Sequence, residues 1–130
     1  LQEEAEKAGF TCEFRACGME DAAPKEFDVA LINPPFSLNL QSPQMKPYPC
    51  TRWGRFGPNS GATSDEYALA QALAAAQLVV ALLPSSTVEA VVKCGNALLG
   101  DDAKRLRAIF DLPTTAFKEE GASVSTAIMV

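Results

Sequence analysis

Asn33-Pro34-Pro35-Phe36 constrains the fold of this chain more than any other stretch. The residues before it, Phe27-Asp28-Val29-Ala30-Leu31-Ile32, form an apolar run that reads as a buried parallel strand. Two consecutive prolines cannot continue a sheet ladder, because each lacks a backbone donor and holds its φ fixed. The strand therefore has to end at Asn33. An amide, the prolyl carbonyls and an aromatic ring are then gathered at its carboxyl end, where open α/β sheets bind ligands. The plainer alternative is a simple turn, since a residue before proline is extended in any case.

Such a corner suits the methylation of a planar amino group. The exocyclic nitrogen of adenine is a poor nucleophile, because its lone pair is delocalised into the ring. An amide oxygen and a backbone carbonyl accept hydrogen bonds from its two N–H groups and favour a more tetrahedral, electron-rich nitrogen. Fixed acceptors aimed at developing positive charge mirror an oxyanion hole, where losing one group costs roughly 2.7–4 kcal/mol of barrier. A neighbouring aromatic ring offers a stacking surface to an extruded base, worth about 1–3 kcal/mol.

Asp28-Val29-Ala30-Leu31-Ile32-Asn33-Pro34-Pro35-Phe36 resembles the catalytic motif of the S-adenosylmethionine-dependent amino-methyltransferases, especially the adenine-specific DNA enzymes. In that family a helix follows the motif, then an apolar strand ending in Leu-Pro or a similar pair, a further helix and strand, and a terminal hairpin. The residues here read as a helix near Ser64–Ala76, a strand Leu78–Leu83 stopped by Pro84, and a helix near Ser86–Leu99. A strand near Leu106–Asp111 and a hairpin Thr115–Val130 follow. Thr63 with Glu66, and Ser86 with Glu89, have capping-box spacing at the two helix starts. Tyr67, Leu69, Ala70, Leu73 and Ala74 are expected on the packed side of the first of these helices, and Gly100 marks the end of the second. Upstream, Leu1–Ala8 reads as a helix ended by Gly9, and Thr11–Ala16 as a strand.

The implied fold is α/β. It is an incomplete Rossmann-like methyltransferase sheet, mostly parallel with a C-terminal antiparallel hairpin, and flanked by helices. The resemblance implies S-adenosylmethionine as cofactor and DNA as partner. Asn33 and Pro34 would orient the target nitrogen, within a catalytic group of Asn33, Pro34, Pro35 and Phe36, and Phe36 would stack on the base. It also implies an acidic cofactor contact in the loop before Phe27, for which Glu20 and Asp21 are the candidates and Asp21 the preferred one. Both equally suit solvated loop positions. An aromatic residue near the hairpin helps to hold the base in this family; Phe117 is the candidate here, with core packing as its alternative.

A complete enzyme of this kind opens with a Gly-rich turn and an acidic residue after the next strand. No Gly-x-Gly precedes Asn33. The family's strand order is 3-2-1-4-5-7-6, so lacking strands 1 and 2 would leave the Phe27–Ile32 strand with a bare edge. That edge is expected to be covered by an N-terminal part of the same protein or by a partner chain. Leu1 in place of Met points the same way. The chain alone is expected to bind cofactor weakly.

The 130 residues make one domain with room for a real core. The net charge of −5 argues against a basic surface over the whole chain. The distribution of charge is more telling. Between Asp28 and Asp65 no acidic residue occurs, and Lys46, Arg52 and Arg55 alternate with Tyr48, Trp53 and Phe56. Cations for phosphates and rings for bases make this interval a candidate substrate-binding loop, with Lys46, Arg52, Trp53 and Arg55 as contacts. Aromatic cover for the sheet edge explains the same residues equally well. The Pro-, Gly- and Ser-rich stretch 37–63 is expected to be a long loop, mobile without ligand.

Lys104, Arg105 and Arg107 read as a solvated basic helix end. Cys12, Cys17, Cys50 and Cys94 form no Cys-x-x-Cys pair and the chain has no histidine, so buried thiols are expected and no zinc site. The missing histidine also excludes Ser-His and Cys-His nucleophilic catalysis. With no signal peptide or membrane span, a cytoplasmic location is expected. RNA-guanine and protein-glutamine amino-methyltransferases carry similar motifs, often ending in Tyr. A non-catalytic interaction domain retaining the fold is the reading from another class.

Overall fold

A computed structural model describes residues 2–9, 11, 13, 16, 27–38, 63–117 and 124–130 of the chain. Its elements are α1 (Gln2–Lys7), β1 (Phe27–Ile32), α2 (Ser64–Ala75), β2 (Ala76–Pro84) and α3 (Ser85–Leu99). A 3₁₀ helix (Gly100–Arg105), β3 (Ile109–Asp111) and β4 (Thr126–Met129) complete them. The strands form one sheet in the order β1-β2-β4-β3. The architecture is α/β, a four-stranded mixed sheet with flanking helices.

β1 and β2 are parallel, with Val29 opposite Leu78 and Ile32 opposite Ala81. β4 runs against β2, pairing Leu83 with Ala127, and against β3, pairing Phe110 with Ile128. A mostly parallel sheet with a C-terminal antiparallel hairpin was expected; three of the four strands run the same way, and only β4, lying between β2 and β3, is reversed, so that two of the three pairings are antiparallel.

The hairpin also differs. The arm opposite β4 is β3, not 115–117. Residues 114–117 form a turn in which the Ala116 N–H donates to the Pro113 carbonyl at 2.8 Å. Pro113 has no donor to offer a ladder, so pairing stops before it. Thr11, Glu13 and Ala16 lie outside any strand and are exposed. Without a buried face, β-propensity has little packing to express. The rest of that expected strand lies outside the described residues, as do Cys12, Cys17, Cys50 and the Cys94 side chain.

The two sheet faces are unlike. On one, Val79, Ala81, Leu83, Ala127 and Met129 are buried beneath α2 and α3, together with Leu69, Ala70, Val88 and Val91. α2 is buried on most of its surface, Tyr67, Ala68 and Ala72 included, although Ala74 is exposed, contrary to expectation. On the other face Leu31 is 77% exposed, and Phe27, Val29, Leu78 and Phe110 are also open. β1 is the edge strand among the described residues. No helix among them is long and apolar enough to cross a membrane.

Local signals explain most helix ends. The Thr63 N–H donates to Glu66 Oε2 at 3.1 Å, the expected capping pair. At α3 the expected Ser86–Glu89 pair does not form. The helix starts one residue earlier, where the Ser85 N–H donates to the Ser125 carbonyl at 2.9 Å, and Glu89 instead accepts from Lys93 Nζ at 2.9 Å. Pairing with the β4 side fixes this helix start, so a local cap is superseded. Gly9, at φ 79°, closes α1 in the left-handed conformation expected of a helix-ending glycine.

Arg105 corrects the reading of a solvated basic end. Its guanidinium donates to the carbonyls of Leu73 at 2.8 Å, Ala76 at 2.6 Å and Gln77 at 2.7 Å, and to Asp102 at 3.1 Å. It thus caps the orphan carbonyls where α2 passes directly into β2. Arg105→Met keeps the apolar stem and removes the donors. Because charged donors are worth more than neutral ones, the expected loss is about 2 kcal/mol. It should appear as a lower urea midpoint with an unchanged slope. An unchanged midpoint would mean that water serves those carbonyls equally well.

Candidate functional site at the proline-stopped strand tip

Pairing of β1 ends at Ile32, one residue before Asn33. Asn33 is exposed, Pro34 buried, Pro35 exposed and Phe36 half-buried. The motif therefore anchors itself through one proline and presents the amide beside it. Among the described residues no hydrogen bond engages the Asn33 amide.

The chain then turns sharply. Ser37 adopts φ 52°, the one positive value at a non-glycine among the described residues. A left-handed L-residue costs about 1–2 kcal/mol, so surrounding bonds must hold it. They come from the start of α2. The Ser37 N–H donates to Asp65 Oδ1 at 2.9 Å. The Leu38 N–H donates to Ser64 Oγ at 3.1 Å, and the Ser64 hydroxyl donates to the Pro35 carbonyl at 2.6 Å. The Ser64 N–H in turn donates to the Leu38 carbonyl at 2.9 Å.

Asp65 has no exposure and Ser64 only 1%. The second carboxylate oxygen of Asp65 accepts a hydrogen bond from the Thr87 hydroxyl, in the first turn of α3. A buried carboxylate is tolerated only when it is hydrogen-bonded. Here it also sits in the first turn of α2, where aligned peptide dipoles favour negative charge. One side chain thus ties together the turn after β1, the start of α2 and the start of α3. Sequence reading missed it, because an acidic residue after a helix cap usually faces solvent.

The other candidates are placed as follows. Phe117 is half-buried in the turn after β3. β3 runs in the direction of β1, so this turn is at the same end of the sheet as Asn33. The two strands are three spacings apart, about 14 Å, so this turn follows the strand at the opposite edge of the sheet. Glu20, Asp21, Lys46, Arg52, Trp53 and Arg55 lie outside the described residues, as does most of the expected long loop.

The shifted pKa values lie away from the tip. The hydrogen bond and charge of Lys104, 2.8 Å away, hold the Asp101 carboxyl below its ordinary value, and the same contacts raise Lys104. The Asp101 contribution is complete above the ordinary carboxylate range and fades as pH falls through the lowered value. That of Lys104 is complete below the ordinary lysine range and fades as pH rises through the raised value. Both groups are exposed, so salt screens the pair. A small apolar cleft among Leu73, Val91, Leu106 and Met129 opens towards the amino end of β2, away from Asn33. Of its charged residues, Asp102 and Arg105 are already bonded to each other.

Neither a family model, nor a curated protein, nor a solved structure matches the chain.

Proposed function

We propose that this chain is the C-terminal part of the catalytic domain of an S-adenosylmethionine-dependent amino-methyltransferase, acting on the exocyclic nitrogen of a flipped adenine in DNA. The observation that carries this reading is the exposed Asn33 at the carboxyl end of a parallel strand, followed by a buried proline and a half-buried ring. The Asn33 oxygen and the Pro34 carbonyl accept from the target N–H groups. Phe36 stacks on the base. S-adenosylmethionine, held through the Glu20–Asp21 loop, would supply the methyl group and leave as a thioether, while Asn33 and Pro34 would orient the accepting nitrogen, whose proton would pass to solvent.

The sheet order supports the same reading. β1-β2-β4-β3, with only β4 reversed, has the sequence of the last four strands in the order 3-2-1-4-5-7-6 that the resemblance implies. In this reading the edge of β1 that is unpaired among the described residues and the open face bearing Leu31 and Val29 are covered by an N-terminal part of the same protein or by a partner chain. The location is cytoplasmic. Cofactor contacts from the Glu20–Asp21 loop and DNA contacts from Lys46, Arg52, Trp53, Arg55 and Phe117 belong to the proposal.

The test is transfer from labelled S-adenosylmethionine by the intact gene product to DNA, RNA and a release-factor-like protein offered separately. Label in DNA adenine is expected. Label only in RNA guanine or protein glutamine would move the substrate while keeping the corner. No transfer to any acceptor, with the cofactor bound, would favour a retained fold without catalysis. The 130 residues alone are expected to bind the cofactor weakly, and a tight calorimetric isotherm would contradict the assignment of the missing cofactor turn.

A further inference from the structure

We propose that Asp65, with Ser64, is the positioning residue of the strand tip: it holds the 34–38 turn in the conformation that presents Asn33. This rests on the proposed function for its chemical consequence, but not for its structural content. A left-handed Ser37 does not sustain itself, and the backbone from Pro35 to Leu38 lacks ladder partners because the prolines have ended the strand. The Ser37 and Leu38 N–H groups and the Pro35 and Leu38 carbonyls are received by the start of α2. Ser37 is bonded to Asp65, and Leu38 and Pro35 to Ser64.

The carboxylate does more than cap a helix. Its second oxygen is committed to Thr87, so the first turn of α3 fixes the orientation in which Asp65 meets Ser37. α3 follows directly on Pro84, the end of β2. The exposed tip of β1 is therefore referenced to the carboxyl end of its neighbouring strand through a fully buried side chain. A catalytic group on a strand tip needs such support, since misplacement by about 1 Å costs on the order of 100-fold in rate.

Two changes, one conservative and one a truncation, separate placement from charge. In Asp65→Asn the remaining oxygen still accepts from Ser37, and the new amide donates to Thr87, whose hydroxyl becomes the acceptor. Asp65→Ala removes both bonds.

Amide hydrogen exchange reads the turn directly in the chain itself. In Asp65→Ala, exchange at Ser37 should accelerate about tenfold or more relative to Ala81 and Leu83 in the sheet. Ser64→Ala should release Leu38 instead and spare Ser37. Asp65→Asn should keep both amides near wild type. Should Asp65→Ala not fold, Thr87→Val provides the same reading at Ser37 with a smaller acceleration. Unchanged Ser37 exchange in a folded Asp65→Ala or Thr87→Val, or an equal acceleration of turn and sheet, overturns the proposal.

In the intact gene product, turnover should fall in Asp65→Ala with the KM for cofactor unchanged, and recover in Asp65→Asn. Loss of turnover in Asp65→Asn with Ser37 protection kept would assign the effect to charge and overturn the positioning role. Absence of methyl transfer in the wild type would remove the function and leave the exchange result to decide positioning.

Discussion

Asn33→Ala is expected to lower methyl transfer by about 100- to 1000-fold, the usual loss when one fixed group facing a developing charge is removed. The reason lies in the nucleophile. An aromatic amine gains reactivity only as its nitrogen leaves the ring plane, and acceptors in fixed positions favour that change most in the transition state. Stability should change by less than about 0.5 kcal/mol, because Asn33 is exposed and its amide supports nothing else in the described chain. The two measurements together carry the test. Labelled transfer reads the first, and a urea titration the second. Wild-type turnover in Asn33→Ala would take this residue out of the mechanism. A large drop in stability would instead make the amide a structural group.

The second large effect is at Leu83. It is fully buried in β2, the strand paired on one side with β1 and on the other with β4, and it faces the helices. Leu83→Ala removes side-chain volume where β2, α2 and α3 converge, and the rigid surroundings close the gap only in part. The expected cost is about 2–5 kcal/mol. For a domain whose whole stability is about 5–15 kcal/mol, that is a large share. Val92→Ala is the natural control, since Val92 is 57% exposed in α3 and should cost little. Urea midpoints for the two variants check this. A Leu83→Ala midpoint close to that of Val92→Ala would mean that the region around β2 is not a packed core.

Elements whose limits follow from neighbouring residues were legible in the sequence. The limits of β1 matched its apolar run to the residue, because two prolines in succession leave no donors to continue the ladder, but the expected burial did not follow: none of its six residues is buried. α2, β2 and α3 matched to within two residues, aided by Thr63, Glu66 and Pro84. Features that depend on distant partners were not legible. The Ser86–Glu89 spacing suggested a cap that Ser125 displaces. Arg105 resembled a solvated cation until three carbonyls, about thirty residues away in sequence, converged on it. At the candidate site the exposed tip was legible from Asn33 to Phe36, whereas its support was not. Asp65 resembles any first-turn acid, and no local pattern states that Ser37 and Thr87 will meet it.

Backbone chemistry along the chain was thus sufficient to end β1 at two prolines and to put an amide at its tip, since a missing N–H and a fixed φ act without neighbours. Burial of the Asp65 carboxylate, the tie of the α3 start to Ser125, and the reach of Arg105 to the end of α2 needed the folded chain. Each depends on groups far apart in sequence, whose meeting is arranged by the packing of helices on one sheet face.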